Sequence, residues 1–138
     1  MNDETAKKMI ERHEGRKKRI YRDSLGNLSC GVGHLLEEGS EFPRSAADIL
    51  FERDFMVACA DVAYLTLQNQ LNLTSNRRAV LIDMVFNLGL SRIQTFKRMF
   101  AALREDNFEL AADEMLDSRW AGQVKGRAIE LSDMMRAG

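Results

Sequence analysis

Two carboxylic acids nine residues apart, Glu14 and Asp23, followed by a hydroxyl at Ser29 and an imidazole at His34, are the part of this sequence best equipped for chemistry. They belong to the run Glu14-Gly15, then Tyr21-Arg22-Asp23-Ser24-Leu25-Gly26-Asn27-Leu28-Ser29-Cys30-Gly31-Val32-Gly33-His34. Two carboxyl groups, one protonated and one ionised, can cleave a glycosidic bond: the first protonates the leaving oxygen, and the second handles water or the developing cation. Glycines 26, 31 and 33 permit tight turns and close approach of a bulky polymer. Taken singly, Glu14 reads as a helix-end surface residue and Asp23 as an Asx-turn residue. The whole string, not either acid, carries the reading. His13-Glu14 does not open a zinc-protease motif, because position 17 is lysine.

These groups need elements to hold them. Ala6, Met9, Ile10 and His13 follow helical spacing and Asp3 can cap them, which predicts a short amphipathic helix over 4–13 that Gly15 ends. From 18 to 34 the texture becomes alternating, with turn residues at 23–27, which predicts a hairpin or small sheet. After a loop at 37–42, Pro43 and the capping-box spacing Ser45–Asp48 predict a helix over about 44–67. That helix is apolar on so many sides that it should be buried or bridge two packed lobes. Further helices are expected from a Thr74 or Ser75 cap to a stop at Gly89, over about 95–104, from Asn107 to about 117, and over about 124–136. The methionines at 9, 56, 84, 99, 115, 134 and 135 read as core filler, as does Trp120. The fold class is α+β, a small N-terminal sheet followed by a mostly helical body.

The chain has 138 residues, 45% hydrophobic and 30% charged, with one proline and a formal net charge of -1. Apolar content this high disfavours disorder, and near-neutral charge disfavours nucleic-acid binding as the main occupation. No apolar stretch reaches the roughly 18 residues that cross a bilayer, and the N-terminus lacks the pattern of a signal peptide, so membrane insertion and cleavage are not expected. Cys30 and Cys59 are too few and too far apart for a disulfide framework or a zinc site, and Cys30 reads as a small buried hydrophobe. Residues 7–22 hold eight basic side chains against Glu11 and Glu14, whereas 37–54 is acidic. Both runs read as solvated faces, or more sharply as attraction to a polyanion such as a bacterial cell wall.

The string E-G-x5-Y-x-D-x2-G-x2-S-x-G-x-G-H resembles the lysozymes (muramidases, endolysins) of T-even and lambdoid phages. Met84-Val85-Phe86-Asn87-Leu88-Gly89 resembles the family's interior helix, and Ser118-Arg119-Trp120 with Arg127 resembles its C-terminal segment, so the likeness covers nearly the whole chain. The resemblance implies one lysozyme domain over 1–138: a sheet lobe over about 14–43 with the helix at 4–13, a connecting helix over about 44–67, and a helical lobe over about 74–138. It implies Glu14 as general acid, Asp23 as second catalytic carboxylate, and Ser29 as the hydroxyl that orients the attacking water, where relatives usually have threonine. It also implies inversion at the anomeric carbon, Arg127 paired with the acid, a structural pair of His34 with Asp54, and a groove lined by Leu35, Phe86, Asn87 and Glu114.

The implied substrate is bacterial peptidoglycan, cut by a monomer without cofactor or metal. The implied location is the host cytoplasm, with release through a holin-made hole. The segment from His34 to the connecting helix is short, only eleven residues follow Arg127, and Met99 and Glu114 stand where relatives offer small polar or amide groups to the sugar. A lytic transglycosylase, and a non-catalytic wall-binding or phage structural module, are the rival readings. The first needs only one acid, so Asp23 with Ser29 favours hydrolysis.

Overall fold

The computed structural model describes residues 3–138, and of Asp3 the backbone only, so the expected Asp3 cap lies outside the described side chains. The chain divides into two compact units, Met1–Pro43 and Arg44–Gly138.

The first unit opens with helix α1, Asp3–Glu14. It ends at Gly15, whose φ of +74° favours a residue without a Cβ and whose N–H donates to the Glu11 carbonyl at 2.8 Å. Strands β1 (Lys17–Arg22), β2 (Leu28–Gly31) and β3 (His34–Leu35) then form an antiparallel sheet in the order β1-β2-β3. Tyr21 pairs with Ser29 and Lys17 with Gly31, so four steps along β1 match two along β2 and β1 bulges between them. Ser29 pairs in turn with Leu35, and Cys30 with His34. Among the described residues of this unit Ser29 alone is buried; Cys30 is half-buried rather than a core hydrophobe.

The second unit is helical throughout: α2 (Arg44–Asn69), α3 (Ser75–Leu88), α4 (Leu90–Ile93), α5 (Lys97–Arg104), α6 (Phe108–Leu116), α7 (Arg119–Val124) and α8 (Gly126–Ala137). Helix α2 starts at Arg44, so Ser45 lies inside its first turn and the expected capping box does not form its start. Three other caps are those the sequence predicts. Thr74 Oγ1 accepts from the Arg77 N–H, Asn107 Oδ1 accepts from the Leu110 N–H, and Gly89, at φ +82°, ends α3. The short helices α4 and α7 have no counterpart among the expected ones.

Every buried hydrophobic side chain among the described residues lies in this unit. Val62, Leu65, Val80, Leu81, Met84, Ile93, Met99, Leu103, Met115 and Met135 are enclosed, and burying a side chain of this size is worth about 1.5–3 kcal/mol. Helix α2 departs from the burial its composition predicts. Ala58, Val62 and Leu65, a single stripe at helical spacing, are buried, whereas Ile49, Leu50, Phe51, Phe55, Met56 and Val57 are exposed. Met56 is therefore not core filler, and Met9 is only half-buried. Arg77 closes the C-terminal end of α8: its Nε donates to the Met135 carbonyl at 2.8 Å and Nη2 to the Arg136 carbonyl at 3.1 Å, while its guanidinium lies 3.5 Å from the Phe108 ring centroid. These are orphan carbonyls of a helix end, given donors by a side chain from α3.

Candidate active site

In the sheet unit Glu14 is the last residue of α1, and its exposed side chain turns onto the β2–β3 turn. The contact is with Gly33, at φ +66°, where a Cβ would stand 3.1 Å from Glu14 Oε2 and 3.2 Å from its Cδ. A glycine leaves the carboxyl this place and accepts this backbone angle without strain.

Asp23 follows β1 and is fixed by its own turn. Its Oδ1 accepts from the N–H groups of Leu25 and Asn27, both at 2.9 Å, and its N–H donates to the Asn27 carbonyl at 2.8 Å. The Asx-turn reading of Asp23 is thus met in full by one carboxylate oxygen. Oδ2 has no hydrogen bond to another described residue and can face a ligand. Ser29, buried between its partners Tyr21 and Leu35, likewise has a hydroxyl with no hydrogen bond to a described residue. Glu14 thus meets the sheet near the Gly31 end of β2, Asp23 lies beyond its Leu28 end, and Ser29 comes between. His34 and Leu35 are exposed on β3.

In the helical unit Asn87 Oδ1 accepts from the Trp120 indole N–H at 2.8 Å, which spends the indole's one donor and leaves the Asn87 amide N–H₂ for another partner. Trp120 is buried, edge-on to Phe96 at 6.2 Å. Phe86 is half-exposed and meets Phe51 at 5.8 Å. The partner of Arg127 in this unit is Asp83, whose Oδ1 accepts from Arg127 Nε at 2.7 Å. Asp54 lies exposed on α2, and Glu114 lines a cavity of about 740 Å³. Among the described residues no three His, Cys, Asp or Glu side chains gather as the ligands of a metal would, and no helix is long and apolar enough to cross a membrane.

A family model described as phage lysozyme matches residues 11–133, which takes in all the groups above. The chain belongs to the phage lysozyme family. At family level that makes it a glycoside hydrolase. It is similar to "Probable T4-type lysozyme 2" of Dictyostelium discoideum, 27% identical over 96% of this chain and 94% of the other. It is also similar to an endolysin of Acyrthosiphon pisum secondary endosymbiont phage 1, 24% identical over 93% of this chain and 86% of the other. A third relative is the pre-baseplate central spike protein Gp5 of Enterobacteria phage T4, 25% identical over 94% of this chain but only 27% of the spike protein.

Three features of this family member escape a reading of its sequence. Gly33 reads there as a turn residue, not as the seat of the Glu14 carboxyl. Asp83 is unremarked, although its spacing of four from Asn87 puts both on one face of α3, from which each reaches a residue of the segment 119–127. The cations at the cavity holding Glu114 come from separate elements and form no run in the chain.

Proposed function

We propose that this chain is a muramidase, hydrolysing the β-1,4 bond between N-acetylmuramic acid and N-acetylglucosamine in peptidoglycan. Glu14 protonates the leaving oxygen. Asp23 activates the water, Ser29 orients it, and the product forms with inversion. The observation that carries this reading is one small sheet against whose β2–β3 turn Glu14 packs, with Asp23 in the turn after β1 and Ser29 on β2, its hydroxyl without a hydrogen bond to a described residue. An inverting pair of carboxyl groups stands about 6.5–9.5 Å apart, which leaves room for the water. A serine in place of threonine keeps the hydroxyl but loses the methyl that restricts its rotation, so water is held less firmly.

Leu35, Phe86, Asn87 and Glu114 are the residues we assign to glycan contact, and the His34–Asp54 pair to structure. The enzyme works as a monomer without cofactor and reaches the wall from the host cytoplasm through a holin-made opening. A second reading, the same activity carried on a virion, is favoured by the match to a segment of a phage spike protein; finding the chain in purified virions would decide for it.

The test is clearing of permeabilised Gram-negative cells by wild type and Glu14→Gln. Removal of the proton donor should lower the rate at least 10²-fold with the thermal transition unchanged; full activity in the variant overturns the assignment. Mass spectra of the products separate hydrolysis from transglycosylation, which leaves an anhydro end. NMR of the first-formed reducing sugar should show the α-anomer, and an initial β-anomer contradicts inversion.

A further inference from the structure

Helix α2 carries a seam of exposed residues on the side away from the core of its own unit. Ile49, Met56 and Ala63 stand seven residues apart, as do Arg53, Ala60 and Leu67, and the two rows interleave at spacings of three and four. That is the heptad pattern by which one helix seats another along its length. All six residues are exposed, Ile49 and Met56 at 69% and Leu67 at 81%. The buried stripe lies opposite: Ala58, Val62 and Leu65 each follow a seam residue by nine positions, about two and a half turns at 3.6 residues per turn. Phe51 and Phe55 belong to neither side and have ring partners already, each other at 6.2 Å and Phe86 at 5.8 Å from Phe51. Exposed hydrophobic residues scattered singly need no partner, but a row at one period along the helix makes a continuous face, and such a face marks an interaction surface.

The charges beside the seam narrow the partner. Asp48 and Glu52 flank it and Arg53 is its one cation, a balance that does not suit an anionic lipid surface. The seam is, however, complementary to itself. In a parallel pair of α2 helices each residue meets its own copy, and two Arg53 guanidinium groups face each other in an apolar contact. In an antiparallel pair about a two-fold axis level with Ala58, Ile49 meets Leu67, Arg53 meets Ala63 and Met56 meets Ala60, each contact occurring twice. Both long side chains near the centre then lie on alanines, and the two cations stand apart with room to reach water. We propose that α2 is a self-association surface, on which a second copy of this chain docks antiparallel in this register. From Ile49 to Leu67 the seam is about 27 Å long at 1.5 Å per residue, and one helix-wide strip of that length is at or below the small end of specific interfaces. The pair therefore forms at about 10–100 µM and separates at assay dilution, where the enzyme is a monomer.

Sedimentation equilibrium on the full chain tests this without any cleavage assay. From about 5 µM to 1 mM the apparent mass of the wild type should rise from one chain toward two. A wild-type chain that stays monomeric throughout overturns the proposal, as does one that binds vesicles of anionic phospholipid and does not pair. Met56→Glu and Ala60→Lys should each weaken pairing at least tenfold, because each sets a charge against an apolar side chain, while the thermal transition of the dilute chain is unchanged at these exposed positions. Mixing the two variants decides the register. In the antiparallel pair the new carboxylate of one chain faces the new ammonium of the other, so the mixture should pair within about threefold of the wild type, although neither variant pairs alone. A parallel pair sets each new charge against an unchanged Met56 or Ala60 and gives no such rescue. Failure of the mixture to pair overturns the antiparallel register, and single variants that pair as the wild type does place the contact elsewhere and overturn the seam.

Discussion

Replacing Gly33 by alanine tests whether the place of the Glu14 carboxyl matters to the reaction. The new Cβ would stand 3.1 Å from Oε2, 3.2 Å from Cδ and 3.4 Å from Cγ of Glu14, contacts that require the side chain to give by a few tenths of an ångström. Because Glu14 is exposed, its carboxyl can swing aside without unfolding the sheet. The backbone, at φ +66°, adds strain of about 1–2 kcal/mol for any residue with a Cβ. Misplacing a catalytic group by about 1 Å costs on the order of 10²-fold, so a shift of a third to a half of that lowers turnover about five- to tenfold, and a full rotamer change about 10²-fold. Gly39→Ala separates the two effects: its φ is +85°, so the strain is matched, but nothing lies within 4 Å of the added methyl. Clearing assays and thermal unfolding on both variants should show a similar loss of stability and a loss of rate confined to Gly33→Ala. Wild-type rates in Gly33→Ala, or an equal loss in Gly39→Ala, would refute the argument that Gly33 seats the acid.

Two further outcomes follow from the helical unit. Arg77→Ala should lower stability by about 2–3 kcal/mol, from two charge-assisted bonds to carbonyls and a cation–ring contact, and Arg77→Lys should recover little because an ammonium cannot fork and stack at once; thermal unfolding measures both, and a loss under 0.5 kcal/mol, roughly that of an exposed pair, would contradict it. Lys125 joins α7 to α8 at φ +53° and ψ −111°, so Lys125→Gly should relieve strain of about 1–3 kcal/mol against glycine's entropy cost of about 0.5–1 kcal/mol, raising the urea midpoint with an unchanged slope.

What the sequence makes legible depends on how local the cause is. The Asp23 turn, the Thr74 and Asn107 caps and the Gly89 stop are each settled by a few neighbouring residues, and the structure has them all. Helices α4 and α7 are four and six residues long, fewer than two turns, so no hydrophobic period can announce them. Ser118 does cap α7, accepting from the Ala121 N–H, but a cap without a following period looks like any serine in a loop. Helix α2 fails differently. Its composition is that of a buried helix, yet only the Ala58, Val62 and Leu65 stripe is buried, because composition counts apolar residues and not the surfaces available to cover them.

Charge shows the same limit most sharply. The run of eight cations at 7–22 dominates the sequence, but its members are exposed along α1 and β1, and those with partners find them locally, Lys7 with Glu4 and Arg16 with Glu11. Such pairs are worth about 0.2–1 kcal/mol and define no site. Arg92, Lys97, Arg98 and Arg119 never form a run, because they are spread over three helices, and yet they share one hollow. Proximity in the chain fixes how charges repel in an extended segment, whereas proximity in the fold fixes the field a ligand meets. The run in the chain therefore describes a solvated surface, whereas cations and carboxylates gathered from separate helices set the field inside one hollow.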